Sequence, residues 1–142
     1  MGALTLQARG PLPVDVVWER YADPQRWPQW APQIRRVDAV GRLRPGLDGR
    51  VHSYLPPGIA FRVIEVDARS RTWSWRVQLG PLTLVLEHGV REATHGGSET
   101  WLRLHGPMPV LLGYAPLAKL AMYCTTSLLV DLQILRAMSS LK

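Results

Sequence analysis

The four histidines are the first residues to weigh for chemistry, because imidazole ligates metals and changes charge near physiological pH. His52, His88, His95 and His105 stand far apart, with no HExxH pair, no paired cysteines and no carboxylate at ligand spacing. No metal site and no cofactor are expected. His95 falls in the turn with Gly96 and Gly97 and reads as exposed. His88 differs, because it interrupts the apolar alternation Leu84, Leu86, His88, and a buried imidazole needs a hydrogen-bond partner. It can orient a ligand carbonyl or hydroxyl, or move a proton; equally it can be a core histidine satisfied by backbone or by Tyr54. Glu65 shares strand parity with Phe61 and Val63 but lies near a strand end beside arginines, which favours an ion pair at a sheet rim over a buried acid. Arg62 is a further polar group nearby, yet no acid–base pair is spelled out by spacing, so no catalytic residue is assigned.

Trp73 and Trp75, two apart, present flat surfaces to one side of a strand. Such rings suit stacking on a planar apolar ligand, and they suit filling a core equally well. Trp18 and Trp30 read as packing between short helices and a sheet. The single Cys124 permits no intrachain disulfide and sits on an apolar helix face, where it reads as a small hydrophobe rather than a nucleophile.

The elements that would position these groups follow from periodicity. Leu4, Leu6 and Ala8 alternate with polar residues as in a half-buried strand. Val14, Val17, Trp18 and Tyr21 then share one face of a short helix that opens at Pro13 and stops before Pro24. A second helical turn, Pro24 to Trp30, sets Trp27 and Trp30 on one side. Val37–Val40, Arg50–Leu55, Ala60–Val66, Thr72–Leu79, Leu82–Glu92 and Glu99–His105 read as strands separated by Gly, Pro and Asp turns, with no helix between them: an antiparallel meander. Whether His52 and Tyr54, or Val51, Ser53 and Leu55, face inward is left open by the pattern. Gly106–Pro116 reads as a stiff irregular loop, and Pro116 as the start of a long helix with Leu117, Leu120, Ala121, Cys124, Leu128, Leu132 and Leu135 on one face. Running to Ser140, that helix would be about 37 Å long. An apolar sheet face must be covered, and only this helix is long enough to do it.

With 142 residues and 46% hydrophobic content, the chain suits one globular domain, 1–142, with a substantial core. The net charge of +6 permits anionic partners, but the fifteen arginines are scattered from Arg9 to Arg136, so nucleic-acid binding is not expected. The first ten residues lack the basic and apolar regions of a signal peptide. The apolar runs Met108–Ala118 and Leu120–Val130 are 11 residues each, whereas a membrane span needs about 20. A cytoplasmic protein is expected.

The order of strand, two short helices, six strands and one long helix resembles the START/pollen-allergen (SRPBCC, helix-grip) superfamily, and within it the bacterial polyketide cyclase/dehydrase-like proteins. The residues carrying the likeness are Pro13-Val14-Asp15-Val16-Val17-Trp18, Ala22-Asp23-Pro24-Gln25-Arg26-Trp27-Pro28-Gln29-Trp30, Arg44-Pro45-Gly46 with Gly49, Val63-Ile64-Glu65-Val66-Asp67, Trp73-Ser74-Trp75, His88 and Gly96-Gly97-Ser98. The resemblance implies an α+β fold, a curled antiparallel sheet of six to seven strands around the C-terminal helix, with a cavity between them. Its family pattern turns His52 and Tyr54 inward. The implied ligand-binding residues are His52, Tyr54, Phe61, Trp73, Trp75, Leu84, Leu86, His88, Tyr114, Leu120, Cys124 and Leu128, with Tyr114 and Leu111–Leu112 as lid residues. The implied function is binding of a small hydrophobic molecule: aromatic, polyketide-like or lipid. The alternatives are a polyketide aromatase/cyclase or dehydratase acting in the same cavity, and a protein-interaction module using the basic surface or the Gly106–Pro116 segment. Many members self-associate, so the resemblance also admits a homodimer, which no residue pattern here fixes.

Overall fold

The computed structural model describes residues 2–31, 33–53, 58–94 and 96–126, with side chains at 117 and 123–126 excepted. Strand β1 (Gly2–Gly10) is followed by helix α1 (Val14–Ala22), a 3₁₀ turn (Pro24–Arg26) and the single-turn helix α2 (Trp27–Trp30). Strands β2 (Arg36–Asp38), β3 (Asp48–His52), β4 (Ile59–Asp67), β5 (Thr72–Leu79), β6 (Leu82–Glu92) and β7 (Ser98–Gly106) precede helix α3 (Met108–Thr126). The seven strands form one antiparallel sheet in the order β1-β7-β6-β5-β4-β3-β2. Consecutive strands therefore pair from β2 to β7, and β1 closes onto β7 in a nine-residue register from Gly2↔Gly106 to Gly10↔Ser98.

Turn chemistry and alternation explain β5 and β6, whose bounds match the sequence pattern. Gly80, at φ 58°, makes the tight reversal between them. Trp73, Trp75 and Val77 on β5, with Leu84, Leu86 and His88 on β6, are all buried on the inner face. Across β1, β7 and β6 a charged clamp reinforces the pairing. Glu99 accepts from Arg9 Nε at 2.5 Å and from Arg91 Nε at 2.8 Å, which holds its carboxyl below the usual range.

Two local features redirect the expected pattern. In β4 the register slips between Val63 and Glu65: Val63 pairs with Trp75, whereas Glu65 pairs with Ser74 and Val66 with Trp73. This bulge at Ile64 reverses the parity beyond it, so Glu65 is exposed and Val66 takes the inward position beside Trp73. Glu65 thus lies outside the apolar cavity beneath α3. The second feature is α3, which begins at Met108 rather than Pro116, so the segment read as an irregular loop is helical. The carbonyl of Pro107 accepts from the amides of Val110 and Leu111. Pro107 and Pro109 therefore fall where helical N–H groups have no partner to lose. Pro116 is inside the helix, and the cost of its missing donor is moderated because both it and Leu112, whose carbonyl loses that donor, are exposed to water.

The helix consequently presents a different face from the one expected. Leu111, Ala118, Ala121 and Met122 are buried, while Leu120 is 50% exposed. Helix α3 packs chiefly on β1 and β7 and also touches α1 and α2. Among the described residues no helix is long and apolar enough to cross a membrane.

One glycine is dictated by a close approach. Gly89 in β6 pairs with Trp101 in β7 on the outer face, and a Cβ at 89 would collide with the indole ring. Gly89→Ala is expected to cost about 1–3 kcal/mol as an overpacking change, read as a lower urea midpoint. Adding Trp101→Val to the alanine variant should recover part of that loss; strict additivity of the two changes would contradict the contact.

Candidate ligand cavity

The site is built on an aromatic cluster rather than on a charged constellation. Trp27, fully buried, stands at its centre, with ring centroids 5.2 Å from Trp75, 5.5 Å from Trp73, 5.5 Å from Phe61 and 6.4 Å from Trp30. Both short-helix indoles are tethered by their N–H groups. Trp27 Nε1 donates to the Tyr21 carbonyl at 3.0 Å and Trp30 Nε1 to the Arg20 carbonyl at 2.9 Å. These bonds satisfy carbonyls at the C-terminal end of α1, where a helix leaves acceptors open, and so fix α2 against α1. Tyr21 closes the group, edge-on to Trp30 at 5.3 Å.

His88 is embedded in this cluster. Its ring stacks on Trp73, its cross-strand neighbour, at 4.4 Å and 8°. Trp75, one step diagonally along β5, donates its Nε1–H to His88 Nε2 at 3.0 Å. An indole nitrogen can only donate, so Nε2 must carry the lone pair and Nδ1 the proton. Burial pushes the imidazole pKa down to about 3, so the ring is neutral. Its Nδ1 is buried with no partner among the described residues. The sequence reading that His88 is buried and polar-partnered is therefore half satisfied: one nitrogen is bonded, by Trp75, and the other is not.

Between the sheet and α3 lies a cavity of about 250 Å³. Trp75, Leu84, Leu86, His88 and Tyr114, all expected on sequence grounds, line it. Phe61 and Trp73 do not. All three rings, Phe61, Trp73 and Trp75, pack in the core against Trp27, and of the two neighbouring indoles Trp75 alone also reaches the cavity wall. His52 is also outside the wall. Val51 and Ser53 face in, and His52 faces the rim, where its Nε2 lies 2.6 Å from Asp38 Oδ2. That contact, the largest cause, and nearby Arg36 hold the Asp38 carboxyl below its usual range. The parity suggested by resemblance fails because Val51 is the apolar member of β3 and pairs with Val37 and Ile59 at buried or half-buried positions. Leu120 is excluded by the phase of α3. Tyr54, Leu128 and the side chain of Cys124 lie outside the described residues.

The wall also contains residues not expected to line it: Tyr21, Trp30 and Ala121, which periodicity places on helix faces, and Gln33, Ile34, Ala118 and Met122. Gln33 has no sequence signal, because it lies in the irregular stretch after α2. Its Nε2 donates to the Tyr114 hydroxyl at 3.3 Å, and its Oε1 is buried without a partner. Burial pushes the Tyr114 hydroxyl pKa up, with the Gln33 bond opposing, so the phenol stays protonated. Among the described residues, no Asp, Glu, Lys or Arg lines the cavity. A larger, more open depression of about 610 Å³ is lined by Glu65, Asp67, Ser74, Glu87 and Trp101 and reaches Trp73 and His88. His88 is the residue it has in common with the apolar cavity, and the carboxylates of the depression suit a hydrophobic molecule less well.

A curled antiparallel sheet and a closing helix with an apolar hollow between them define a helix-grip protein. The chain belongs to the polyketide cyclase/dehydrase and lipid transport family, whose model matches residues 1–122. The same fold is found in the major latex-like protein 151 of Panax ginseng, at a TM-score of 0.69 and 12% identity over 88% of this chain and 97% of that one. It is found again in a protein of Nitrosospira multiformis, at a TM-score of 0.68 and 14% identity over 85% and 94% of the two chains. BexL, a di-domain ARO/CYC from the BE-7585A biosynthetic pathway, matches at a TM-score of 0.70 and 18% identity, covering 87% of this chain and 45% of its own. No curated protein sequence matches the chain.

Proposed function

We propose that the protein binds a small, uncharged hydrophobic molecule, aromatic or polyketide-like, in the cavity between sheet and α3. The observation that carries this reading is the cavity itself: about 250 Å³ walled by Trp75, Leu84, Leu86, Met122 and other apolar side chains, with no charged group among the described residues. That volume is the share of roughly eight liquid waters and lies below the usual range for drug-sized ligands, so it suits one or two rings rather than a long chain. Membership of a family described by polyketide cyclisation and lipid transport is consistent with such an occupant.

The cyclase or dehydratase reading finds less support. A general acid or base works best with a pKa near the operating pH. His88, the one titratable imidazole in the wall, is held neutral down to about pH 3 with Nε2 already engaged by Trp75. It is equipped to donate a hydrogen bond rather than to shuttle protons.

Ligand binding makes a thermal prediction. At 100 times Kd a ligand should add about 2.7 kcal/mol to stability, which for a domain of this size is a rise of roughly 5–11 °C in Tm. A panel of one- and two-ring aromatics and short lipids screened by thermal shift and native mass spectrometry measures it. Failure of every compound to shift Tm or to appear bound would defeat the proposal.

A further inference from the structure

Helix α3 is apolar on both of its sides. Its underside supplies Tyr114, Ala118, Ala121 and Met122 to the cavity wall. On the outer side Leu112 is 59%, Leu120 50% and Met108 37% exposed, three of the six large apolar residues exposed among the described residues. Steps of four place Met108, Leu112, Pro116 and Leu120 in one stripe along the helix, and Pro116 is exposed as well. No charged residue occurs from Gly106 to Ala118, and Lys119 is the only one in α3. The outer side of a surface helix normally carries charged and polar residues, and a helix that is apolar all round is one that something covers.

We propose that this face of α3 docks on an anionic lipid surface, with Met108, Leu112 and Leu120 entering the headgroup boundary. Two observations favour a bilayer over a second copy of the chain. The first is area. From Met108 to Leu120 the stripe is about 18 Å long and a helix is about 10 Å across, so it offers roughly 200 Å², whereas a stable protein interface takes roughly 800 Å² from each partner. A bilayer needs no matching surface, because a few inserted side chains and electrostatic attraction suffice for reversible binding. The second is charge. The chain carries a net +6, which opposes self-association and favours a negative surface. Strand β1 and helix α3, packed together, contain Arg9 and Lys119 and no carboxylate for anionic headgroups to repel. Docking in this way sets the helix that closes the cavity against the lipid, whatever the cavity holds.

The test is co-flotation of the intact protein with unilamellar vesicles of equal parts phosphatidylglycerol and phosphatidylcholine, beside vesicles of phosphatidylcholine alone. The protein should float with the anionic vesicles, less with the neutral ones, and less again as NaCl rises from about 0.1 M to about 0.5 M. Leu112→Glu and Leu120→Glu should each weaken the partition about tenfold or more, as expected for withdrawing one leucine from lipid. Val40→Glu is the control, because Val40 is 83% exposed in the connection between β2 and β3 and the change of charge is the same. It should weaken the partition less than about threefold, since a distant charge is screened. All three sites are exposed, so urea midpoints should stay near that of the unmutated protein. No flotation, or equal losses for Val40→Glu and Leu112→Glu, would overturn the docking. So would a doubling of mass by light scattering without vesicles that Leu112→Glu abolishes, because a second copy would then occupy the face. Flotation and the thermal-shift panel read different events, so this inference can fail while ligand binding stands, and the reverse.

Discussion

Replacing Trp27 by alanine is expected to remove about 3–5 kcal/mol of folding free energy, the range for emptying a buried large-aromatic site. Domains of this kind hold only about 5–15 kcal/mol in total, so the variant should be near the limit of folding at 37 °C. The magnitude follows from position. Trp27 is wholly buried and meets Trp30, Phe61, Trp73 and Trp75, and its N–H makes one of the two indole bonds that tie α2 to the end of α1. Trp27→Phe keeps a ring and loses the tether, and should therefore fall between the two. Urea denaturation checks both: a midpoint strongly lowered at unchanged slope is expected for alanine. A loss below about 1 kcal/mol would mean that the neighbouring rings close the gap, and that the cluster does not depend on its central member.

The second large effect is a loss of stability in mild acid that belongs to His88. Its folded pKa of about 3 lies below the ordinary value of 6.5, so the group behaves as one whose charged form the fold refuses. Above pH 6.5 both folded and unfolded chains carry it neutral, and nothing is lost. As pH falls below 6.5, the unfolded chain takes up a proton that the folded chain does not accept until about pH 3. Stability should decline across that window with a limiting slope of about 1.4 kcal/mol per pH unit for this one group. The carboxylates act lower. Asp38, Asp48 and Glu99 are held below their ordinary values of 3.8 to 4.5, so their contribution is intact above that range and fades only beneath it. The interval from pH 6.5 to 5 therefore separates the imidazole from them. His88→Phe keeps a flat ring beside Trp73 and removes the titration; its urea-derived stability should lack this component of the acid slope. Parallel wild-type and variant profiles through that interval would show that His88 is not responsible.

The legibility of the fold varied along the chain for identifiable reasons. β5 and β6 could be read to the residue, because Trp-Ser-Trp and Leu-x-Leu alternate between firm turn residues at Gly80-Pro81. Glu65 is expected at the sheet rim and is exposed, but the bulge that turns it out could not be read, because it leaves no compositional mark in Val-Ile-Glu-Val yet reverses the side chains that follow it. Pro116 was misleading in another way. Proline is a good first helical residue, and only the packing of Leu111, Tyr114 and Ala118 beneath α3 shows that the helix is already running when it arrives. The same packing rotates Leu120 into solvent.

The candidate site divides along a similar line. Periodicity and turn chemistry, both local, determined which residues of β5 and β6 share a face, and hence that Trp73, Trp75, Leu84, Leu86 and His88 point the same way. They also determined that a sheet needing cover is followed by a helix able to supply it. Tertiary structure alone decided that, of the three rings packed on Trp27, Trp75 also reaches the cavity wall while Trp73 and Phe61 do not. It also brought Gln33, outside any periodic element, to Tyr114 across 81 residues of chain. The pairing of Trp75 with His88, which sets the tautomer, is likewise a matter of distance between side chains. Periodicity fixes the direction of a side chain relative to its own backbone, whereas what that side chain meets depends on how the elements close on one another.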